Sequence, residues 1–251
     1  MDLGLSGKKA LVTGSTKGIG RAIAETLLAE GASVAICARS EDGVAAAVEE
    51  MSSMGTVVGA ACDAGDMEAV QGWVASSIEQ LGGCDIYVHN TSAKPQRQLD
   101  GWVNNLNIDL LSAVAGIGAA TDALADGGGS VISIGTTATA EHFASGSGSY
   151  SALKAAVTNW TLGQAQVLGS KGVRCNVVSP GPIMVEGGDW DMIKNNMAEF
   201  YAATEKNHPG GQLGNPADVA NMVAFLSGDV AQHINGANIV VDGGFLKRVN
   251  Y

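Results

Sequence analysis

Seven short apolar runs rich in β-formers, each followed or preceded by a stretch of helical periodicity, constrain the fold of this chain more than any other feature. They fall at residues 9–13, 33–38, 57–62, 85–90, 130–135, 173–178 and 237–241. The helical stretches between them run at about 18–30, 41–54, 67–81, 101–125 and from Tyr150 to about Gly169. The runs are apolar throughout rather than alternating, as strands of a parallel sheet covered on both faces must be. Right-handed crossovers then predict an α/β fold with a single-domain, doubly wound, Rossmann-like parallel sheet and helices on both faces. Ligands of such a sheet bind at the carboxyl ends of its strands.

Composition narrows the partners. A length of 251 residues allows one large α/β domain or two small ones, and a composition 46% hydrophobic is ample for a buried core. A formal charge of −11 argues against nucleic acid and gives no attraction to an anionic membrane surface. The apolar runs look too broken by Gly, Thr or Asp to reach membrane-spanning length. An acid at position 2 and an immediate first strand show no secretory signal. Cys37, Cys62, Cys84 and Cys175 lack metal spacing and read as buried, reduced thiols of a cytoplasmic protein. His89, His142, His208 and His233 form no metal set and read as solvated or structural. The long insertion at 181–214 reads as irregular apart from one small amphipathic run holding Trp190, Met192, Ile193, Met197, Phe200 and Tyr201. Its position, at about 184–214, predicts a substrate lid.

Two local patterns carry chemistry. Between the first strand and first helix stands Thr13-Gly14-Ser15-Thr16-Lys17-Gly18-Ile19-Gly20. Glycines there admit positive φ and close approach of a phosphate, and a helix N-terminus offers free N–H groups. In SYSALKAAV, Tyr150 and Lys154 are one helical turn apart and share a face. An ammonium beside a phenol favours the phenolate, which predicts a lowered tyrosine pKa. The end of the second strand reads Cys37-Ala38-Arg39-Ser40, with no acid to bind a ribose 2′-hydroxyl. Arg39, with Lys17, instead favours a 2′-phosphate, hence NADP(H) over NAD(H).

These pieces, with CDIYVHN, SVISIGT, NVVSPGPI and VVDGG in order, resemble the classical short-chain dehydrogenase/reductase family over nearly the whole length. The likeness is closest to its 3-oxoacyl-carrier-protein-reductase-like members. The resemblance implies that Tyr150 is the general acid/base and that Lys154 tunes it and holds the nicotinamide ribose. A threonine after the fifth strand takes the place of the family's substrate-binding serine. Alignment on the strand end favours Thr136, and the usual distance to the tyrosine favours Thr137. Asp109 occupies the position of a relay asparagine, where it could accept from a water or from Lys154. The turn His89-Asn90-Thr91-Ser92 replaces Asn-Asn-Ala-Gly. Asp63 fits an adenine contact, Asn90 a position near the adenosine, and Pro180, Gly181 and Ile183 the segment beside the carboxamide. Val185 replaces a cofactor-binding threonine. The implied activity is interconversion of a secondary alcohol and a ketone on a small-molecule substrate with a hydrophobic body, in a homotetramer or homodimer. Two rival readings are a cofactor-binding sensor or scaffold with little turnover, and an NAD-linked alcohol dehydrogenase.

Overall fold

The computed structural model describes residues 1–141 and 148–247, so His142 lies outside the described residues. Strands β1 (Lys9–Val12), β2 (Ser33–Ala38), β3 (Val57–Ala61), β4 (Ile86–His89), β5 (Ser130–Ile134), β6 (Arg174–Pro180) and β7 (Asn238–Val241) form one sheet. Its order is β3-β2-β1-β4-β5-β6-β7, with every pairing parallel. Every run expected to be a strand is one. Most ends are trimmed by a residue, and β6 extends through Ser179 and Pro180. The direction of winding reverses between β1 and β4, which opens a crevice at their carboxyl ends.

The described helices are α1 (Gly18–Ala29), α2 (Glu41–Met51), α3 (Met67–Leu81), α4 (Leu99–Asn105), α5 (Ser112–Ala125), α6 (Ser149–Leu168), α7 (Asp189–Asn196), α8 (Ala198–Asn207) and α9 (Pro216–Ser227). Successive strand residues face opposite layers. Val12, Val88 and Ile132 pack under Ile23 and Leu27 of α1 and Val219 and Val223 of α9. Their neighbours Leu11, Tyr87 and Val131 pack under Trp73 of α3, Ile117 and Leu124 of α5 and Val157 of α6. Local chemistry sets the helix ends. Asp66 caps α3 by accepting from the Glu68 and Ala69 N–H groups, and Gly82 ends it in the left-handed region. Asn215 and Asp218 form a capping box on α9, with Pro216 in its first turn.

Two segments differ from expectation. Residues 99–125 form one continuous helical rod, but Leu106–Leu111 within it is a π-turn. This rod is 27 residues long, with a mean hydropathy of 1.5 over its most apolar window, so by length and composition it could cross a membrane. The reading that no run reaches that length is corrected. The apolarity here serves the core, where Ala113, Ile117, Ala120 and Leu124 are fully buried against the sheet. The insertion is also more ordered than its glycines suggest. Its amphipathic run is split between α7 and α8, and a bridge between Ile183 and Gly214 closes its base.

The packing of α5 on β4 depends on one glycine. A Cβ at Gly116 would lie 1.9 Å from the Tyr87 hydroxyl oxygen. That hydroxyl is buried without a hydrogen-bond partner. Gly116→Ala is therefore expected to cost about 1–3 kcal/mol through overpacking. Tyr87→Phe, which deletes the orphan hydroxyl, is expected to be neutral or stabilising. Urea unfolding of both variants checks this, and a Tyr87→Phe loss as large as that of Gly116→Ala would refute it.

Candidate active site

The glycine turn lies at the carboxyl end of β1 and leads into α1. Gly14 and Gly18 hold φ of +62° and +60°, where a side chain would be strained. A Cβ at Gly20 would sit 2.3 Å from the Gly14 carbonyl oxygen and 2.4 Å from Asn90 Nδ2, so the helix start and the turn pack backbone to backbone. Among the described residues, the Lys17 side chain makes no capping hydrogen bond at the start of α1. Its first N–H groups keep the capacity to bind an anion, and the helix dipole favours one.

The expected cofactor residues divide into two groups. Ser15 and Asn90 serve the scaffold. The Ser15 hydroxyl donates to the Val12 carbonyl at 2.6 Å and accepts from the Cys37 N–H at 3.2 Å, and its own N–H donates to the Cys37 carbonyl. The Ser15 side chain is thereby engaged with the ends of β1 and β2. The Asn90 amide donates to the Thr13 and Gly14 carbonyls, each at 3.0 Å, and so braces the turn. By contrast Lys17, Arg39, Ser40 and Asp63 are exposed at or just beyond the strand ends. Neither Lys17 nor Arg39 makes an ion pair among the described residues. Ser40 caps α2 by accepting from the Gly43 N–H, and Asp63 accepts from the Gly65 N–H. Thr16 is half-buried in the turn, and Ile19 packs on the core. Val185, from the insertion, would be 3.3 Å from a Cβ on Gly18 and so covers the turn. Pro180 ends β6, Gly181 donates to the Val241 carbonyl, and Ile183 is buried beside them.

At the carboxyl end of β5, Thr136, Tyr150 and Lys154 converge. The Thr136 hydroxyl lies beside the Tyr150 phenol and acts to lower its pKa. It also accepts from the Ala138 N–H at 3.1 Å, capping a short 3-10 turn at Thr137–Thr139. This selects Thr136 over Thr137 as the hydroxyl beside the phenol. Lys154 is 1% exposed, and its ammonium donates to the Ile134 carbonyl at 2.8 Å. It also lies 3.7 Å from Oδ1 of Asp109, which is itself fully buried.

The electrostatics differ from the simple expectation for Tyr150. Its pKa is raised, not lowered, chiefly by burial, with Asp109 and Asp189 adding to the rise. The Asp109 carboxylate lies 3.7 Å from the lysine ammonium. Lys154 is itself pushed down by burial while Asp109 opposes that fall. His89 is buried, with Nε2 3.2 Å from the Asp109 carbonyl oxygen, and burial, then Lys154, push its pKa down to about 3. It stays neutral, with the proton on Nε2 as donor.

Sequence reasoning missed three supporting residues. Asn105 Nδ2 donates to Asp109 Oδ2 at 3.0 Å, and the Ser92 hydroxyl donates to Oδ1 at 2.5 Å. Ser149, next to Tyr150, accepts from the Gln96 N–H at 2.9 Å and lies 3.1 Å from the Asn105 side-chain oxygen. Asn105 is four residues before Asp109, so helical spacing held a signal for it. The Ser149 and Ser92 contacts had none.

Lys94 on the loop after β4 faces Asp189 at the start of α7, at 3.9 Å, both side chains exposed. Trp190 stacks on Phe200 with centroids 6.0 Å apart, and Met192, Met197 and Phe200 present apolar surface. His208 is buried, accepts or donates at Nδ1 with the Thr204 carbonyl, and stacks on Phe245. His233 is exposed, and Asp191 accepts from the Gly187 N–H. All four cysteines are buried and unpaired.

An anion-ready helix start, glycines admitting close approach, and Lys17 and Arg39 without ion pairs among the described residues fit a phosphate-bearing dinucleotide. Residues 14–246 match the family model described as enoyl-(acyl carrier protein) reductase. The chain is 33% identical over 247 residues to isoepoxydon dehydrogenase of Aspergillus clavatus, covering 96% of this chain and 95% of that one. It is 34% identical over 248 residues to 3-oxoacyl-[acyl-carrier-protein] reductase of Vibrio harveyi, covering 96% and 98%. Its fold is similar to that of L-sorbose reductase from Gluconobacter frateurii, solved with NADPH and L-sorbose. That likeness has a TM-score of 0.90 and 27% identity, over 99% and 100% of the two chains.

Proposed function

The chain belongs to the classical short-chain dehydrogenase/reductase family, an oxidoreductase acting on CH–OH or C=O groups, and on that premise we propose that it interconverts a secondary alcohol and a ketone with NADP(H). The convergence of the Thr136 hydroxyl and the Tyr150 phenol one turn from the buried Lys154 ammonium carries this reading. A bound nicotinamide supplies or accepts the hydride. In reduction Tyr150 gives its proton to the carbonyl oxygen, and Thr136 donates a hydrogen bond to the same oxygen as negative charge grows on it. In oxidation Tyr150 takes the proton back. Lys154, fixed by the Ile134 carbonyl and Asp109, holds a positive charge beneath the phenol. The raised Tyr150 pKa of the protein without dinucleotide keeps the phenol protonated at neutral pH, the form reduction needs.

NADP(H) is favoured over NAD(H) because Arg39 and Lys17 are unpaired among the described residues and no acid stands at the end of β2. Residues 184–214 act as the lid, and their exposed Met192, Met197 and Phe200 suit a substrate with a hydrophobic body such as an alicyclic ketone or an acyl chain. Leu99, Val103, Leu111 and Val114 leave apolar surface on the 99–125 rod, and Val167 does so on α6. A second copy would cover it, so the assembly is a homotetramer or homodimer of the cytoplasm.

Tyr150→Phe is expected to lower kcat for NADPH-dependent ketone reduction by roughly 10²–10⁴-fold while NADPH still binds. Wild type that binds NADPH but turns over no ketone or alcohol would leave the sensor reading standing instead. Arg39→Ala is expected to weaken NADPH roughly tenfold and NADH little, read by fluorescence titration. Equal losses would defeat the 2′-phosphate assignment. Light scattering that returns a monomer at working concentration would remove the oligomer.

A further inference from the structure

Three departures from the family pattern, His89, Ser92 and Asp109, lie up to 20 residues apart in the chain and meet in one buried cluster. Asp109 sits in the π-turn, a backbone form that recurs at functional sites. Both of its carboxylate oxygens are occupied. Oδ1 accepts from Ser92 at 2.5 Å and faces the Lys154 ammonium at 3.7 Å. Oδ2 accepts from Asn105 at 3.0 Å and from the Ala93 N–H at 3.4 Å. All the partners are donors, as a carboxylate requires. A glycine at position 92 would provide no hydroxyl, and a buried charge that loses its donors is costly.

We infer that Asp109 is a positioning residue that fixes the Lys154 ammonium through a direct buried ion pair, and that Ser92 and Asn105 are the donors that allow a carboxylate to stand there. The family pattern places an asparagine at this position to support a water; here a carboxylate faces the lysine directly at 3.7 Å. The same cluster reaches Tyr150 from behind, because Asn105 also binds Ser149. Ser92 and Asp109 are thus one coupled exchange rather than two losses. The inference rests on the Tyr150 and Lys154 roles proposed above.

The charged and titratable groups around the cluster are Lys154 and Tyr150 on α6, His89 on β4 and, acting on Tyr150, Asp189 on α7. His89 stays neutral across the assay range, since its pKa lies at about 3. The Asp109 charge raises both Tyr150 and Lys154. Removing it lowers both. Alcohol oxidation needs the phenolate as base, so its rate rises with pH through the Tyr150 ionisation. Asp109→Asn is therefore expected to move that rising limb to lower pH by about one unit. A purely structural role would lower kcat and leave the limb in place, and that result overturns the inference.

A second measurement does not use turnover. Ser92→Gly is expected to lower thermal stability in the wild-type background and to have little further effect beside Asp109→Asn, because its hydroxyl acts through the carboxylate. Additive losses overturn the coupling. Should Asp109→Asn alone fail to fold, the Ser92→Gly/Asp109→Asn double variant, which restores the family's pair, carries the same pH test. If Tyr150→Phe abolishes turnover and the Asp109→Asn profile overlays wild type, only the Asp109 assignment falls. If Tyr150→Phe keeps full turnover, the functional reading itself falls.

Discussion

A buried ammonium governs the architecture around it. Lys154 is enclosed by protein, and a cation so placed is tolerated only with a carbonyl and a carboxylate in reach. The carbonyl belongs to Ile134, the last residue of β5, so α6 must dock with its first turns at that strand's carboxyl end. The carboxylate belongs to Asp109, so the 99–125 rod must run beside α6 and open its π-turn there. Sheet, rod and helix are thereby set against one another at a single point, and Tyr150 inherits its place from that agreement.

The parallel sheet explains why this point lies beside the glycine turn. Every strand ends at the same edge, so loops distant in sequence gather there: the turn after β1, the segment after β4, the threonines after β5 and the Pro-Gly segment after β6. Apolar packing on both faces holds the edge rigid. The polar groups at the rim are then positioned by a scaffold that has no need of them, which is how one fold can host many substrates.

Much of this was legible from residues that interact locally. Strands announced themselves because a sheet covered on both faces demands continuous apolar runs, and the Tyr150 and Lys154 pair because one helical turn is a fixed spacing. Other features were hidden for physical reasons. A π-turn changes backbone pairing without changing the apolar pattern, so 101–125 read as an ordinary helix. The insertion concealed α7 and α8 because its flanking glycines dominate local propensity. Sequence distance could not choose between Thr136 and Thr137, whereas Thr136 is the threonine that acts on the phenol electrostatically. The sign of the Tyr150 shift was misread because burial, its chief cause, does not show in a four-residue spacing, and the charge that adds to it comes from Asp109, 41 positions earlier.

The contact between Lys94 and Asp189 joins the loop after β4 to the start of α7 with both side chains in solvent. Such a pair is worth about 0.2–1 kcal/mol, and dissolved ions weaken it further. Thermal motion alone is enough to part it. The tie between the loop after β4 and α7 is therefore weak, and any molecule touching both sides, Lys94 on one and Trp190 or Met192 on the other, would join them more firmly than this pair does.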